Sequence, residues 1–148
     1  MIGLDTTVLI AHEIREAAEH ESVRDHIQSA SKAGSELYGI APQVLQEFLH
    51  VATDPRRFKK PLAMSEAIRR VRAWWDSAEV THCHPTDMSC NQAWAWMEEF
   101  HLGRKRILDT ALAATYHARG IHRLATANSD DFAVFGVFDF ESWATTSG

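Results

Sequence analysis

The first ten residues, Met1-Ile2-Gly3-Leu4-Asp5-Thr6-Thr7-Val8-Leu9-Ile10, decide the fold class of this chain. The apolar run over residues 2–4 is typical of a short buried strand. The run stops at Asp5, and Thr6 or Thr7 is suited to cap a helix that follows. A strand followed at once by a helix is the pattern of α/β proteins with parallel sheets.

The same alternation of strand and helix continues along the chain. Further strands are predicted over residues 37–40, 79–82, 122–125 and 135–140. Helices are predicted over residues 14–33, over residues 42–52, after caps at Ser65 and Thr86, and over residues 107–119. Helices that join parallel strands cover both faces of a sheet, so the sequence predicts an α/β fold with a largely parallel sheet.

The helix capped by Thr86 has a clear apolar stripe at helical spacing. The stripe consists of Cys90, Ala93, Trp94, Met97 and Phe100. Trp96 falls off this stripe, so we expect it at a subunit or partner surface, with a helix–helix contact in the core as the alternative.

Length and composition are those of a single soluble domain over residues 1–148. The chain of 148 residues and 16.7 kDa is 45% apolar and 24% charged, which suffices for a buried core without disulfides. No apolar run approaches the ~18–20 residues of a membrane helix, and the start lacks the pattern of a signal peptide. We therefore expect a cytoplasmic protein without membrane contact, in which Cys83 and Cys90 are reduced thiols.

Charge is distributed unevenly along the chain. The net charge is −5, yet residues 51–72 carry seven bases against two acids. This basic region includes Arg56, Arg57, Lys59 and Lys60, and a second basic cluster follows at residues 104–106. Each cluster is either a solvated face or a phosphate-binding surface.

Acidic residues stand where the ends of two predicted strands place them. Asp5 follows the first strand, and residues 126–132 follow the fourth. Ligands of parallel α/β sheets bind beyond the carboxyl ends of the strands. The two places bring acids together only if the two strands are neighbours.

Two more acids lie on predicted helices. Glu47 has Val44 and Val51 on either side along its helix, which is costly for a carboxylate unless something compensates it or its head reaches water. Asp109 lies in the first turn of its helix, where the helix dipole favours an anion.

Four stretches carry these acids in order and span nearly the whole chain. They are LDTTVLI (4–10), APQVLQEF (41–48), RILDTALAA (106–114) and LATANSDDF (124–132). In this ordered set the chain resembles the PIN-domain ribonucleases, specifically the VapC-type toxins of prokaryotic toxin–antitoxin pairs. Each stretch is degenerate alone, whereas the set of four is fairly specific.

The resemblance implies a fold, an activity and partners. The implied fold is a PIN-like three-layer α/β/α sandwich around a central, mainly parallel sheet of four to five strands. The implied activity is that of a metal-dependent endoribonuclease that uses Mg²⁺, for which Mn²⁺ substitutes, and leaves a 5′-phosphate and a 3′-hydroxyl. The implied partners are RNA, a small VapB-like antitoxin and a second copy of the chain.

The resemblance also implies which residues form the site. The catalytic and metal-binding acids are Asp5, Glu47, Asp109 and Asp131, with Asn128 as a neutral metal ligand. Asp131 is preferred to Asp130 because some relatives have Asn at the position of Asn128 and an Asp just before the Phe. Thr7 stands where relatives often have Asn or Ser. The residues expected to bind substrate are Thr7, Arg56, Arg57, Arg104 and Lys105.

Three other hypotheses carry less weight. The segment 82–84, His-Cys-His, together with Cys90 has zinc-type ligands without a recognisable paired spacing. A haloacid-dehalogenase-like phosphatase also begins with an Asp after its first strand, but it needs a second Asp where this chain has Thr7. A catalytically weak PIN-like module that binds RNA or protein is the remaining alternative.

Overall fold

The computed structural model describes residues 1–144 and contains five strands and seven α-helices. The strands are β1 (Ile2–Leu4), β2 (Tyr38–Ile40), β3 (Val80–His82), β4 (Arg123–Ala125) and β5 (Asp139–Phe140). The α-helices are α1 (Thr6–Glu13), α2 (His20–Ala33), α3 (Pro42–Ala52), α4 (Met64–Trp75), α5 (Asp87–Glu99), α6 (Ile107–Ala118) and α7 (Ser129–Ala133). Short 3₁₀ helices cover Arg104–Arg106 and Ser142–Ala144.

The five strands form one parallel sheet in the order β3-β2-β1-β4-β5. The chain therefore moves from β1 to one edge of the sheet, then returns to the other side of β1. Because parallel crossovers are right-handed, α1 to α4 cover one face, and α5 to α7 cover the other. The predicted three-layer α/β/α sandwich is confirmed.

This topology makes β1 and β4 neighbours, with Gly3 paired to Leu124 and Leu4 paired to Ala125. Strand order reverses between these two strands, which is the place where α/β sheets bind ligands. The condition that the sequence left open is met: Asp5 and the segment after β4 lie at the same edge of the sheet.

The core lies between the sheet and the two helix layers. All three residues of β1 are buried, as are Tyr38 and Ile40 of β2. Phe48 from α3 and Tyr116 from α6 fill the two opposite layers and are almost completely buried. The central strands β1 and β2 are therefore apolar, and polar side chains gather at the carboxyl edge of the sheet.

Several helix and strand ends differ from the sequence predictions. Asp5 itself caps α1, and Ala63 stands before α4 without a side-chain hydrogen bond. The helix predicted from residue 14 begins at His20, because the chain leaves α1 in an extended turn at Ile14 to pack α2 against α1. The fifth strand contains only Asp139–Phe140, since the residues before it follow α7.

The apolar face of α5 was assigned wrongly. Trp96 is buried and stacks on Phe135 at a centroid distance of 4.7 Å, whereas Trp94 is 64% exposed. The helix faces the core with Ser89, Ala93 and Trp96. Trp96 thus makes the helix contact in the core that was the alternative to a surface role.

Two further features are the lengths of the helices and the state of the cysteines. No helix among residues 1–144 is long and apolar enough to cross a membrane. Cys83 is buried and Cys90 is half-buried, and both are free thiols as expected.

Candidate active site

Asp5 lies at the carboxyl end of β1 and is held by three donors. Its Oδ1 accepts a hydrogen bond from the Thr6 amide at 2.8 Å. Its Oδ2 accepts from the hydroxyls of Thr126 at 2.7 Å and Thr7 at 3.1 Å. Burial raises the pKa of Asp5 above its usual value, and these three hydrogen bonds oppose that rise. Asp5 is only 6% exposed, and the three hydrogen bonds fix the orientation of its carboxyl group.

The residues after β4 are tied to Asp5 through hydroxyl groups. Thr126 Oγ1 accepts from the Asn128 amide at 3.0 Å while donating to Asp5. Thr7 Oγ1 accepts from the Ala127 amide, also at 3.0 Å. The turn that leads into α7 is therefore anchored on the same carboxyl group.

Glu47 approaches this group from α3. Its Oε2 accepts a hydrogen bond from Thr6 Oγ1 at 3.1 Å. The flanking Val44 and Val51 are buried, but the Glu47 side chain is exposed at the edge of the site. The cost expected for a carboxylate among apolar neighbours is avoided because its head reaches water beside Asp5.

Asp109, in the first turn of α6, shows that the four acids share one electrostatic environment. Its pKa is raised to about 6, first by burial and then by the negative charges of Asp5, Asp131 and Glu47. Arg106 acts in the opposite direction and lowers it. The structure thus brings together the four acids that the resemblance named.

The structure also separates neighbouring residues of the last stretch. Asp131 acts on Asp109, whereas Asp130 is exposed and is not among the groups that shift the pKa of Asp109. Asn128 stands just before α7 and its side chain is exposed, with no cap hydrogen bond to the helix.

Three residues that position this site were missed by sequence reasoning. Thr6 and Thr126 supply hydroxyl donors, and the guanidinium of Arg106 donates to the main-chain carbonyl of Asp131. Arg106 lies one helical turn before Asp109, which was a signal in the sequence. Threonine at both neighbouring strand ends was the other.

The two predicted basic clusters occupy different surroundings. Arg104 and Lys105 are exposed and directly precede the helix that carries Asp109. Arg56 and Arg57 pair with Asp54 after the end of α3. The main chain of that loop attaches to Glu16, which accepts hydrogen bonds from the amides of residues 59 and 60. Among residues 1–144, no described contact joins Arg56 or Arg57 to the four acids of the candidate site.

The side chains of the chain decide which metal ion, if any, a site could bind. Within the described part of the chain, no three His, Cys, Asp or Glu side chains are arranged to hold a metal ion together. The zinc hypothesis has no support: His82 stacks on Trp75, and Cys83 is buried. In the acidic cluster, the negative charges of Asp5, Asp131 and Glu47 raise the pKa of Asp109, and Arg106 lowers it. Carboxylate oxygens are ligands that suit a hard divalent cation.

Comparisons with known proteins identify the family and the fold. The sequence model of the family described as PIN domain matches residues 2–137. The chain belongs to the PIN domain family. A curated relative of this PIN domain, Ribonuclease VapC24 of Mycobacterium tuberculosis, is 26% identical over an alignment of 144 residues that covers 92% of this chain and 92% of the relative.

Solved structures show the same PIN fold. The M. tuberculosis toxin VapC20, described as cleaving the sarcin–ricin loop, superposes with a TM-score of 0.68 at 20% identity and covers 90% of this chain and 94% of its own. VapBC2 of Rickettsia felis, bound to a DNA fragment from its promoter, gives a TM-score of 0.66 at 14% identity over 95% and 98% of the two chains. At these identities the superpositions establish the fold.

Proposed function

We propose that this PIN domain is a metal-dependent endoribonuclease that acts as the toxin of a toxin–antitoxin pair. The observation that carries the proposal is a cluster of four acids at the edge of the sheet where β1 and β4 end. Asp5, Asp131 and Glu47 lie close enough to Asp109 for their charges to raise its pKa. The relative named as a ribonuclease and the neighbour named as an RNA-cleaving toxin support the same activity.

Asp5, Glu47, Asp109 and Asp131 are the residues that would hold Mg²⁺, with Asn128 as a neutral oxygen ligand and Mn²⁺ as a substitute ion. Such an ion, when bound, acidifies water and offsets the charge of a phosphodiester. Four carboxylates without it repel phosphate, so we expect no cleavage in the absence of divalent cations.

The chain's own residues orient these groups. The hydroxyls of Thr7 and Thr126 hold the Asp5 carboxylate in one orientation. Arg106 fixes the main chain at Asp131 relative to the start of α6. Arg104 and Lys105, exposed beside this helix start, are the cations that would bind flanking RNA phosphates. Water adds to phosphorus and the 3′-oxygen leaves with a proton, which gives a 5′-phosphate and a 3′-hydroxyl.

We also propose a VapB-like antitoxin as the partner and a homodimer as the assembly. Support for the antitoxin comes from solved toxin–antitoxin structures with the same fold, including those from Klebsiella pneumoniae and Salmonella typhimurium. Neutralisation by a bound antitoxin would let the chain be produced without harm to its own cell.

The test compares two adjacent acids of α7 in the purified, antitoxin-free protein. Asp131→Asn is expected to reduce Mn²⁺-dependent cleavage of a fluorogenic RNA by ~100-fold or more, because it removes one of the four carboxylates. Asp130→Asn removes the same charge from an exposed neighbour and is expected to retain cleavage.

Equal loss in both variants would contradict the assignment of Asp131. RNA binding without any Mg²⁺- or Mn²⁺-dependent cleavage by the parent protein would instead identify a binding module. For the toxin role, induced expression of the parent is expected to arrest growth, and induced expression of Asp131→Asn is expected not to do so.

A further inference from the structure

The hydroxyl of Tyr116 joins three elements that carry acids of the site. Tyr116 is fully buried on α6, seven residues after Asp109 and therefore on the same side of the helix. Its hydroxyl donates to the Leu4 carbonyl at 2.5 Å, directly before Asp5. It accepts from the Ala41 amide at 3.3 Å, directly before the helix that carries Glu47.

This hydroxyl takes the place of one main-chain hydrogen bond between β1 and β2. In the β1–β2 pair, Ile2 is in register with Tyr38 and donates its amide to the Leu37 carbonyl. Two steps further along a parallel ladder, the Ala41 amide would donate to the Leu4 carbonyl. Tyr116 satisfies both groups with its side chain, and the register of β1 with β2 ends at Gly3 and Gly39. The inserted hydroxyl lies where Asp5 follows β1 and α3 follows β2.

Two glycines side by side let the phenol reach this position. Gly3 and Gly39 are paired in register and so face the same side of the sheet. A Cβ on Gly3 would lie 2.8 Å from Tyr116 Cδ2. A Cβ on Gly39 would lie 2.6 Å from Cδ1 of Ile121, which follows α6. Tyr116 and Ile121 can therefore approach the sheet this closely only because glycine stands at both positions.

We propose that Tyr116 is a positioning residue of the acidic site, whose hydroxyl sets the gap between β1 and β2 and thereby the spacing of Asp5 and Glu47. The link between strand gap and acids is short, because Thr6 Oγ1 contacts Glu47 Oε2 at 3.1 Å and the Val44 carbonyl at 3.4 Å. The inference rests on the nuclease function proposed above and deepens it.

The experiment compares Tyr116→Phe with Tyr38→Phe. Tyr38 is also buried, lies at the opposite end of β2, and its hydroxyl has no hydrogen-bond partner among residues 1–144. The Tyr38 variant therefore controls for loss of a buried hydroxyl from the same sheet. The measurements are Mn²⁺ affinity by calorimetry, kcat and KM for RNA, and crystal structures of both variants and the parent.

Tyr116→Phe is expected to weaken Mn²⁺ binding and lower kcat by about 10-fold each, with KM for RNA within about 2-fold, as for other outer residues that orient metal ligands. Tyr38→Phe is expected to change none of these. In crystals, Tyr116→Phe is expected to change the Asp5–Glu47 spacing and to lose the Thr6–Glu47 hydrogen bond.

A lower melting temperature with unchanged Mn²⁺ affinity, kcat and Asp5–Glu47 spacing would overturn the proposal and leave Tyr116 a purely structural residue. If the parent neither binds Mn²⁺ nor cleaves RNA, the nuclease function fails. The Asp5–Glu47 spacing in the crystals then decides the role of Tyr116 by itself.

Discussion

At the scale of single residues, Asp5 and Asp109 differ in the hydrogen bonds that their carboxyl groups accept. Asp5 accepts three hydrogen bonds that favour its charged form against burial. The Asp109 carboxyl accepts none from residues 1–144, and it faces the charges of three other acids. Of the two, Asp109 is therefore the acid whose negative charge is less compensated in the metal-free site, and its protonation changes the stability of the fold.

Asp109→Asn is expected to stabilise the metal-free protein at neutral pH. The pKa of Asp109 is about 6 in the folded chain and near 3.8 in the unfolded chain, so the folded state binds more protons between these values. Stability of the parent therefore falls as pH rises from about 4 to about 6, and the lost part stays lost at higher pH. The amide does not ionise, so it gains on the order of 1 kcal/mol at pH 7.5, after allowance for solvent screening, and little at pH 4.

Urea unfolding in the presence of a chelator, at pH 4 and pH 7.5, measures this gain. Asp130→Asn is the control, because its carboxyl is exposed and is not among the main groups that shift the pKa of Asp109. A stabilisation by Asp109→Asn that is equal at both pH values would show that charge repulsion is not its cause.

At the scale of helices and strands, local signals were reliable where one residue decides the outcome. Gly34 ends α2 in the left-handed conformation at φ 62°, and Thr86 caps α5 in a reciprocal pair with Ser89. The face of α5 was not decidable locally, because Ala93 and Phe100 fit stripes that include either Trp94 or Trp96. Contact with Phe135, distant in sequence, selects Trp96.

The candidate site divides in the same way. Asp5 and Asp109 stand out in the sequence because one follows a strand and the other begins a helix, and the resemblance to PIN-domain ribonucleases names Glu47 and Asp131 with them. The groups that hold them could not be named, because Thr126 and Tyr116 act across the sheet over separations of 121 and 112 residues. Only the neighbouring positions of β1, β2 and β4 bring these partners together.

Gly3→Ala is expected to disturb the packing of α6 on the sheet. The added Cβ would lie 2.8 Å from the Tyr116 ring in a fully buried layer, so the ring or the strand must shift. Overpacking of this kind costs about 1–3 kcal/mol of unfolding free energy. Gly103→Ala is the matched control: its φ is −90° and its Cβ meets nothing within 4 Å.

Chemical denaturation of both glycine variants gives the comparison. Gly103→Ala is expected to be neutral or slightly stabilising, since alanine reduces the freedom of the unfolded chain. Equal stability of Gly3→Ala and the parent would mean that Tyr116 moves without cost, which contradicts its role in a tightly filled layer.

At the scale of the whole molecule, the net charge of −5 and the acidic edge of the sheet both oppose binding of RNA. Basic residues are concentrated elsewhere, at residues 51–72 and 104–106. The fold therefore concentrates unfavourable charge at the topological switch point, and a divalent cation is the simplest group that relieves it. Under the proposed function, stability, metal binding and pH are expected to be coupled through this one site.

Mn²⁺ is accordingly expected to raise the melting temperature by an increment that grows from pH 5 to pH 7.5. Metal binds the ionised carboxylates, and a pKa of about 6 keeps Asp109 protonated in mild acid, so binding must release protons. The increment should rise with free Mn²⁺ by mass action. Asp109→Asn, which stabilises the metal-free protein, should show a smaller increment than the parent, whereas Asp130→Asn should match the parent. Thermal melts at several Mn²⁺ concentrations and both pH values test this. Identical increments in the parent and in Asp5→Asn, Glu47→Gln and Asp109→Asn would mean that the ion binds outside the acidic site.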